Sequence, residues 1–105
     1  MNTRQGYGHG DVVIRPVTAI PDGATVTARR VLAEGEMTGH AHRLLDDSDV
    51  EVYEREGTLY LRVGPRGAQI THEEHGVRTI DPGTYRVGKQ AEYDHFAEEA
   101  REVRD

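Results

Sequence analysis

Residues 50–63 read VEVYEREGTLYLRV, and this stretch decides the fold class that we predict for the chain. Both halves are rich in Val, Leu and Tyr, residue types that favour strands, and Glu56-Gly57 separates them. Two strand-like runs joined by two residues, the second of them glycine, predict a β-hairpin. In the second half, Leu59 and Leu61 fall on the face opposite to Tyr60, because side chains alternate along a strand.

The alternation of strand-like runs and turn signals continues on both sides of this hairpin. Turns are predicted at Pro21-Asp22-Gly23 and at Asp81-Pro82-Gly83, where Pro and Gly stand in positions that β-turns favour. Many short strands at this spacing are typical of a β-sandwich or a β-barrel. We therefore predict an all-β fold, either a small barrel or a sandwich.

The two ends of the chain depart from this pattern. Residues 1–9 are polar and glycine-rich, and we expect them to form a flexible lead-in. Near the other end, Asp94 is a favourable N-cap, and Phe96 and Ala100 follow at helical spacing. These residues predict one short C-terminal α-helix over residues 94–103.

Length and composition limit the classes of function. A chain of 105 residues fits a single domain, predicted to span residues 1–105. A net charge of −6 argues against general nucleic-acid binding, which requires a basic surface. There is no Cys and no apolar stretch long enough for a membrane helix, so we expect a cytoplasmic protein that does not bind membranes. A core this small is often supplemented by a metal ion or by a second subunit, which makes a homodimer a further expectation.

Four of the six histidines form two close pairs, His40/His42 and His72/His75. A His-x-His pair on a strand directs both imidazoles to the same face. The second pair converges only where its strand turns or bulges, because positions i and i+3 of a regular strand face opposite ways. Neutral imidazole is the commonest metal ligand near neutral pH. The sequence thus predicts that His40, His42, His72 and His75 bind one divalent metal ion, which could be zinc, iron, manganese, nickel or copper.

Other residues are predicted to complete this site. Glu73 and Glu74 adjoin the second histidine pair and are candidates for a catalytic general base. Arg43 and Arg78 are candidates for binding an anionic group of a substrate, and Tyr93 is a candidate for binding the substrate by lining the same cavity.

The pattern leaves the class of function open. An enzyme would use the metal for hydrolysis or for oxygen chemistry at an iron centre. The alternative is a non-catalytic binding module for a small anionic ligand or a protein partner, in which the histidines form a polar pocket. His9 and His95 belong to neither hypothesis and are expected to be solvated, since one lies in the lead-in and the other at the start of the predicted helix.

Part of the chain resembles the cupins, which are small β-barrels with a histidine-rich metal site. His40-Ala41-His42, followed by the stretch Glu51 to Leu59, is similar to the first cupin motif. This resemblance implies a barrel whose metal ligands face inward. In the second cupin motif Pro-x-Gly precedes the histidine, whereas Pro82-Gly83 here follows His72 and His75.

A second resemblance covers most of the chain. The chain is similar to small bacterial and phage proteins without an assigned function. The similar segments are GDVVI at 10–14, LAEGEMTGHAH at 32–42, THEEH at 71–75, PGTYRV at 82–87 and QAEY at 90–93. This resemblance implies that the segments belong to one structural unit.

Overall fold

The computed structural model describes residues 6–9, 12–34, 41–72 and 76–89 of the chain. These ranges form ten strands: β1 Tyr7–His9, β2 Val12–Pro16, β3 Thr25–Thr27, β4 Val31–Glu34, β5 Ala41–Leu44, β6 Val50–Arg55, β7 Thr58–Val63, β8 Ala68–His72, β9 Gly76–Ile80 and β10 Gly83–Lys89. They contain no helix, and therefore none that could span a membrane. The all-β prediction is confirmed for this part of the chain, whereas the helix predicted over 94–103 lies outside the described residues.

The strands form two antiparallel sheets. One sheet has six strands in the order β1-β2-β10-β7-β6-β3, and the other has four in the order β4-β5-β8-β9. Closing a barrel would require the end strands of a sheet to pair, and within the described ranges β1 and β3, like β4 and β9, do not. The barrel implied by the cupin resemblance is therefore wrong here. Four connections link a strand of one sheet to the next strand in the other sheet, at residues 28–30, 45–49, 64–67 and 81–82. Successive hairpins therefore belong to opposite sheets.

Both sheets contribute to one hydrophobic core. Its fully buried side chains include Ile14, Leu61 and Tyr85 from the six-stranded sheet and Leu44 and Ile70 from the four-stranded sheet. Burying a Leu or Ile side chain completely stabilises a fold by about 1.5–3 kcal/mol. The burial of these shared apolar side chains is therefore the main interaction that holds the two sheets together.

The hairpin predicted within residues 50–63 is present as β6 and β7. Arg55 pairs with Thr58 across a two-residue turn, and both turn residues have positive φ, 50° at Glu56 and 81° at Gly57. Positive φ at both central positions is the type I′ geometry, whose twist matches that of the flanking strands. The predicted alternation is also confirmed, because Leu59 and Leu61 are buried in the core.

The side chains of Tyr7 and Tyr85 stabilise the connection between β9 and β10. The Tyr85 hydroxyl donates a hydrogen bond to the Asp81 carbonyl oxygen at 2.7 Å, and the Asp81 backbone N–H donates one to the Tyr7 hydroxyl at 3.2 Å. The rings of Tyr7 and Tyr85 meet edge to face, with centroids 5.9 Å apart. These contacts attach β1 to a sheet crossing that is distant in sequence.

The prediction of a flexible lead-in over residues 1–9 needs a correction at its end. Residues Tyr7–His9 form β1, and each pairs with a residue of β2. The physical reason is that Tyr7 and His9 face the interior on either side of the exposed Gly8, so that burial of two large side chains offsets the flexibility of the glycine.

We predict that Gly57→Ala lowers the free energy of unfolding by about 1 kcal/mol, because an alanine at positive φ is strained. A Cβ at this position would meet no atom within 4 Å, so backbone strain is the only cost. Gly8→Ala is the matched control, since a Cβ there also meets nothing and its φ is not positive. Urea denaturation of both variants measures the difference, and equal stability of the two would contradict the assigned turn.

Candidate functional site: a buried histidine cluster

Three histidines from different strands lie together in the interior. His9 on β1, His42 on β5 and His72 on β8 are only 4%, 1% and 7% exposed. Among the described residues, these three are the buried polar or charged side chains. Burying a polar group is costly unless it is hydrogen-bonded, so a concentration of three such groups in a small core marks this place as the candidate site.

The three rings are in contact with one another. The ring centroids of His42 and His72 are 4.3 Å apart, with the ring planes tilted by 32°. His9 meets both rings edge-on, at 5.0 Å from His42 and 6.2 Å from His72. We call these three side chains the histidine cluster.

Hydrogen bonds determine how the nitrogens of His9 are used. Its Nε2 lies 2.8 Å from the carbonyl oxygen of Gly76, which can only accept, so we assign a proton to Nε2. Its Nδ1 lies 2.9 Å from Nδ1 of His42. If both rings are neutral, Nδ1 of His9 is the acceptor and His42 donates from Nδ1, which makes Nε2 the unprotonated nitrogen of His42.

Strand register explains why the rings meet. Arg43 pairs with Thr71, so His42 and His72 come next in the same antiparallel register between β5 and β8. In the other sheet, His9 pairs with the fully buried Val12, and cross-strand partners share a face. The cluster therefore lies between the sheets, where edge strand β1 of one faces the other.

The structure brings together two of the four predicted metal ligands. His42 and His72, one from each predicted pair, are in ring contact. His40 and His75 lie outside the described residues, as do Glu73, Glu74 and Tyr93. For these five, the roles assigned from the sequence remain predictions.

The two arginines predicted to bind substrate occupy different places. Arg43 follows His42 on β5, so it lies on the opposite face of the strand, where it is exposed. It is not brought to the histidine cluster. Arg78 is exposed on β9, and its guanidinium carbon lies 5.4 Å from the centre of the Tyr7 ring. Arg78 therefore lies close to β1. It contacts Tyr7, which is two residues from His9 on that strand.

Sequence analysis missed His9, which was expected to be solvated. That expectation is wrong, because pairing of β1 with β2 turns His9 inward beside Val12. The available signal was the period-two spacing of Tyr7 and His9 around Gly8, which is typical of a strand with one buried face. The neighbouring glycines indicated a loop instead.

The described residues alone do not make a complete metal site. Within residues 6–9, 12–34, 41–72 and 76–89, no group of three or more His, Cys, Asp or Glu side chains is arranged so that it could hold a metal ion. All buried side-chain nitrogens and oxygens of these ranges have a hydrogen-bond partner. The cluster is thus a hydrogen-bonded unit, in which the Nδ1 atoms of His9 and His42 lie 2.9 Å apart.

A double-mutant cycle measures this contact. We expect His9→Ala and His42→Ala to be coupled by about 1 kcal/mol in the free energy of unfolding, because either change alone removes the same nitrogen–nitrogen hydrogen bond. The control cycle combines His9→Ala with Thr25→Ala, an exposed residue on edge strand β3, and should be additive. Additivity in both cycles would mean that the contact contributes nothing.

Comparison with known proteins gives a family and no activity. The family model described as a domain of unknown function, DUF8820, matches residues 8–90, a range that includes all three residues of the histidine cluster. No curated protein and no solved structure matches the chain. Because the match spans most of the 105 residues, the chain belongs to the DUF8820 family of domains of unknown function.

Proposed function

We propose that this domain binds one divalent transition-metal ion at the histidine cluster. The observation that carries the proposal is the approach of two Nδ1 atoms, those of His9 and His42, to 2.9 Å in a buried place. Such an approach of two basic nitrogens needs something electrophilic between them. A proton shared in a hydrogen bond is one solution, and a metal ion is the other common one.

The spacing of the two nitrogens is compatible with a shared metal ion after a rearrangement of the rings. Imidazole nitrogens bind zinc at about 2.0–2.1 Å, so two of them on one tetrahedral ion lie about 3.3 Å apart. The pair lies 2.9 Å apart, so a shared ion would require the nitrogens to separate by about 0.4 Å and both rings to turn until their lone pairs meet at the ion.

The second nitrogen of His9 also supports the proposal. Metal-binding histidines usually donate their other ring N–H to a carboxylate or a backbone carbonyl, which fixes the orientation of the ring. His9 Nε2 donates to the Gly76 carbonyl oxygen in this way. The ring of His72, packed against that of His42, is close enough to supply a further nitrogen after a side-chain rotation.

Two or three imidazoles need additional ligands to complete a coordination shell. The chain offers them immediately beside the cluster in sequence. His40 precedes the first residue of β5, and Glu73, Glu74 and His75 stand between His72 and Gly76. We propose that the remaining ligands come from this set. A hydrolytic role would in addition use Glu73 or Glu74 as a general base, and oxygen chemistry would instead require iron.

A non-catalytic binding module remains the second candidate, and one observation favours it. Arg78 holds an exposed positive charge above the Tyr7 ring, two residues along β9 from the Gly76 carbonyl that His9 contacts. An anionic group bound beside the cluster would meet this charge. In that case the histidines form a hydrogen-bonded polar pocket and bind no metal.

Metal titration of protein purified without a histidine tag and treated with a chelator distinguishes the two candidates. We expect saturable binding of about one equivalent of Zn²⁺ or Co²⁺, and raised thermal stability, because a ligand of the folded state stabilises it. We expect His42→Gln and His9→Gln each to weaken binding by at least about 10-fold, since each variant removes a proposed ligand.

Arg43→Ala is the matched control, because Arg43 follows His42 on the same strand but is exposed on its outer face. It should bind metal like the unchanged protein. Unfolding curves of the metal-free variants show whether each one folds. The metal proposal fails if no ion binds saturably, or if Arg43→Ala weakens binding as much as His42→Gln does.

A further inference from the structure

Strand β3 stands at one end of the six-stranded sheet. Among the described strands it pairs with β6 alone, so its other side is an edge of the sheet. Its central residue, Val26, is 64% exposed, and the neighbouring Thr25 is exposed as well. An exposed strand edge offers its backbone for pairing with a further strand. The edge of β3 is therefore a candidate interaction surface.

The residues of β3 lack the usual protection of an edge strand. Soluble proteins protect such strands with a charged side chain or a proline, or cover them with another segment. Thr25–Thr27 contains three β-branched residues and no charge, a composition that favours strand pairing. The corresponding edge strand of the four-stranded sheet, β9, carries Arg78 at its centre. Of these two edges, β3 is therefore the better suited to pair with another strand.

The sequence of β3 is symmetric about its centre, because Thr25-Val26-Thr27 reads the same in both directions. An antiparallel pair of two such strands, with a two-fold axis at Val26, places each valine opposite the other. It also places Thr25 opposite the partner's Thr27. Thr–Thr and apolar β-branched pairs are favourable across neighbouring strands. A two-fold axis is also the commonest symmetry of soluble oligomers, so a second copy of this chain is a suitable occupant of the edge.

The charges on either side of β3 are complementary in the same arrangement. Asp22 lies before the strand and is exposed, and Arg29 and Arg30 follow it. In a two-fold antiparallel pair, positions at equal distances before and after Val26 come to the same end of the interface. Asp22 is thus brought towards the partner's Arg30, and the same attraction recurs at the other end. A parallel pair would instead bring like charges together, so these residues favour the antiparallel arrangement.

We propose that two copies of this chain associate through antiparallel pairing of β3 with β3 of the partner. The two six-stranded sheets then form one continuous sheet. On one of its faces, Val26 pairs with Tyr53 and Tyr53 with Tyr60, so this row of side chains continues across the two-fold axis. The association does not require the metal ion and is independent of the proposed function.

The proposed contact is small. A specific, stable interface buries about 1,200–2,000 Å² in total, and pairing of two three-residue strands contributes only part of such an area. The dimer is therefore weak and reversible, and its population depends on protein concentration.

Sedimentation equilibrium of the full chain, without added metal, tests the association between about 10 μM and about 1 mM, the range of weak contacts. We expect the average mass to rise with concentration from that of one chain towards that of two. A chain that stays monomeric throughout would overturn the proposal, whether another segment or a different protein covers the edge. A mass that rises beyond two chains would overturn it as well, because a two-fold contact closes at a dimer.

One pair of matched variants locates the interface. We expect Val26→Lys to weaken the association by at least about tenfold, because two lysines would then face each other across the axis. Val77→Lys is the control, since it makes the same change at a valine that is 58% exposed on the edge strand of the other sheet. An unchanged dimer in Val26→Lys, or equal weakening by both variants, would contradict the assignment to β3.

Charge reversal tests the antiparallel arrangement. We expect Asp22→Arg and Arg30→Asp each to weaken the association by roughly fivefold, because each variant replaces attraction by repulsion at both ends of the interface. The double variant restores the opposite charges and should recover the association. A double variant as weak as the single ones would overturn the proposed pairing. Unfolding curves establish that each variant folds.

Discussion

The hydrogen bond from His9 Nε2 to the Gly76 carbonyl oxygen joins the two sheets at one side of the molecule. His9 lies on β1 at the edge of the six-stranded sheet, and Gly76 begins β9 at the edge of the four-stranded sheet. The hydrophobic core holds the two sheets together in their middle. At this edge the interior side chain is instead the polar ring of His9, which needs hydrogen-bond partners, whereas an apolar side chain would need none. The arrangement of the whole histidine cluster follows, because with Nε2 committed to Gly76 the other nitrogen of His9 must face His42.

The level of the fold that contains this hydrogen bond also contains the row of His9, Val12 and Lys89, which crosses three strands of the six-stranded sheet. The hydrophobic core ends here, since Lys89 follows the partly buried Val87 on the same face of β10. Polar side chains can therefore collect between the sheets without disturbing the packing around Tyr85 and Leu61.

Local sequence patterns predicted the features that depend on neighbouring residues. The β6–β7 hairpin followed from Glu56-Gly57 and its flanking strands, and the alternation of Leu59 and Leu61 with Tyr60 followed from the pleat of a strand. The same alternation, applied to β5, would have separated Arg43 from His42. Arg43 was assigned to the site because it is adjacent in sequence, and adjacency on a strand means opposite faces.

Features that depend on distant pairing could not be predicted in this way. Pairing of Ile14 with Val87 places β2 beside β10, and no local pattern indicates which of several similar strands will be neighbours. The division into two sheets, and hence the absence of a closed barrel in the described ranges, is a result of such pairings. The burial of His9 has the same origin, because an edge strand becomes an interior surface only when the opposite sheet covers it.

Strand β1 is also the element through which the interior is most easily reached. Among the described strands it pairs with β2 alone, over three residues, and the described contacts that hold its other side come from the side chains of Tyr7 and His9. Short edge strands of this kind open locally at a lower free energy than the rest of a fold, without global unfolding. Such an opening would separate His9 from Gly76 and uncover the rings of His42 and His72. We therefore expect the amide hydrogens of β1 to exchange with solvent sooner than those of β7, and the exchange rate of β1 to limit how fast an ion or water enters the cluster.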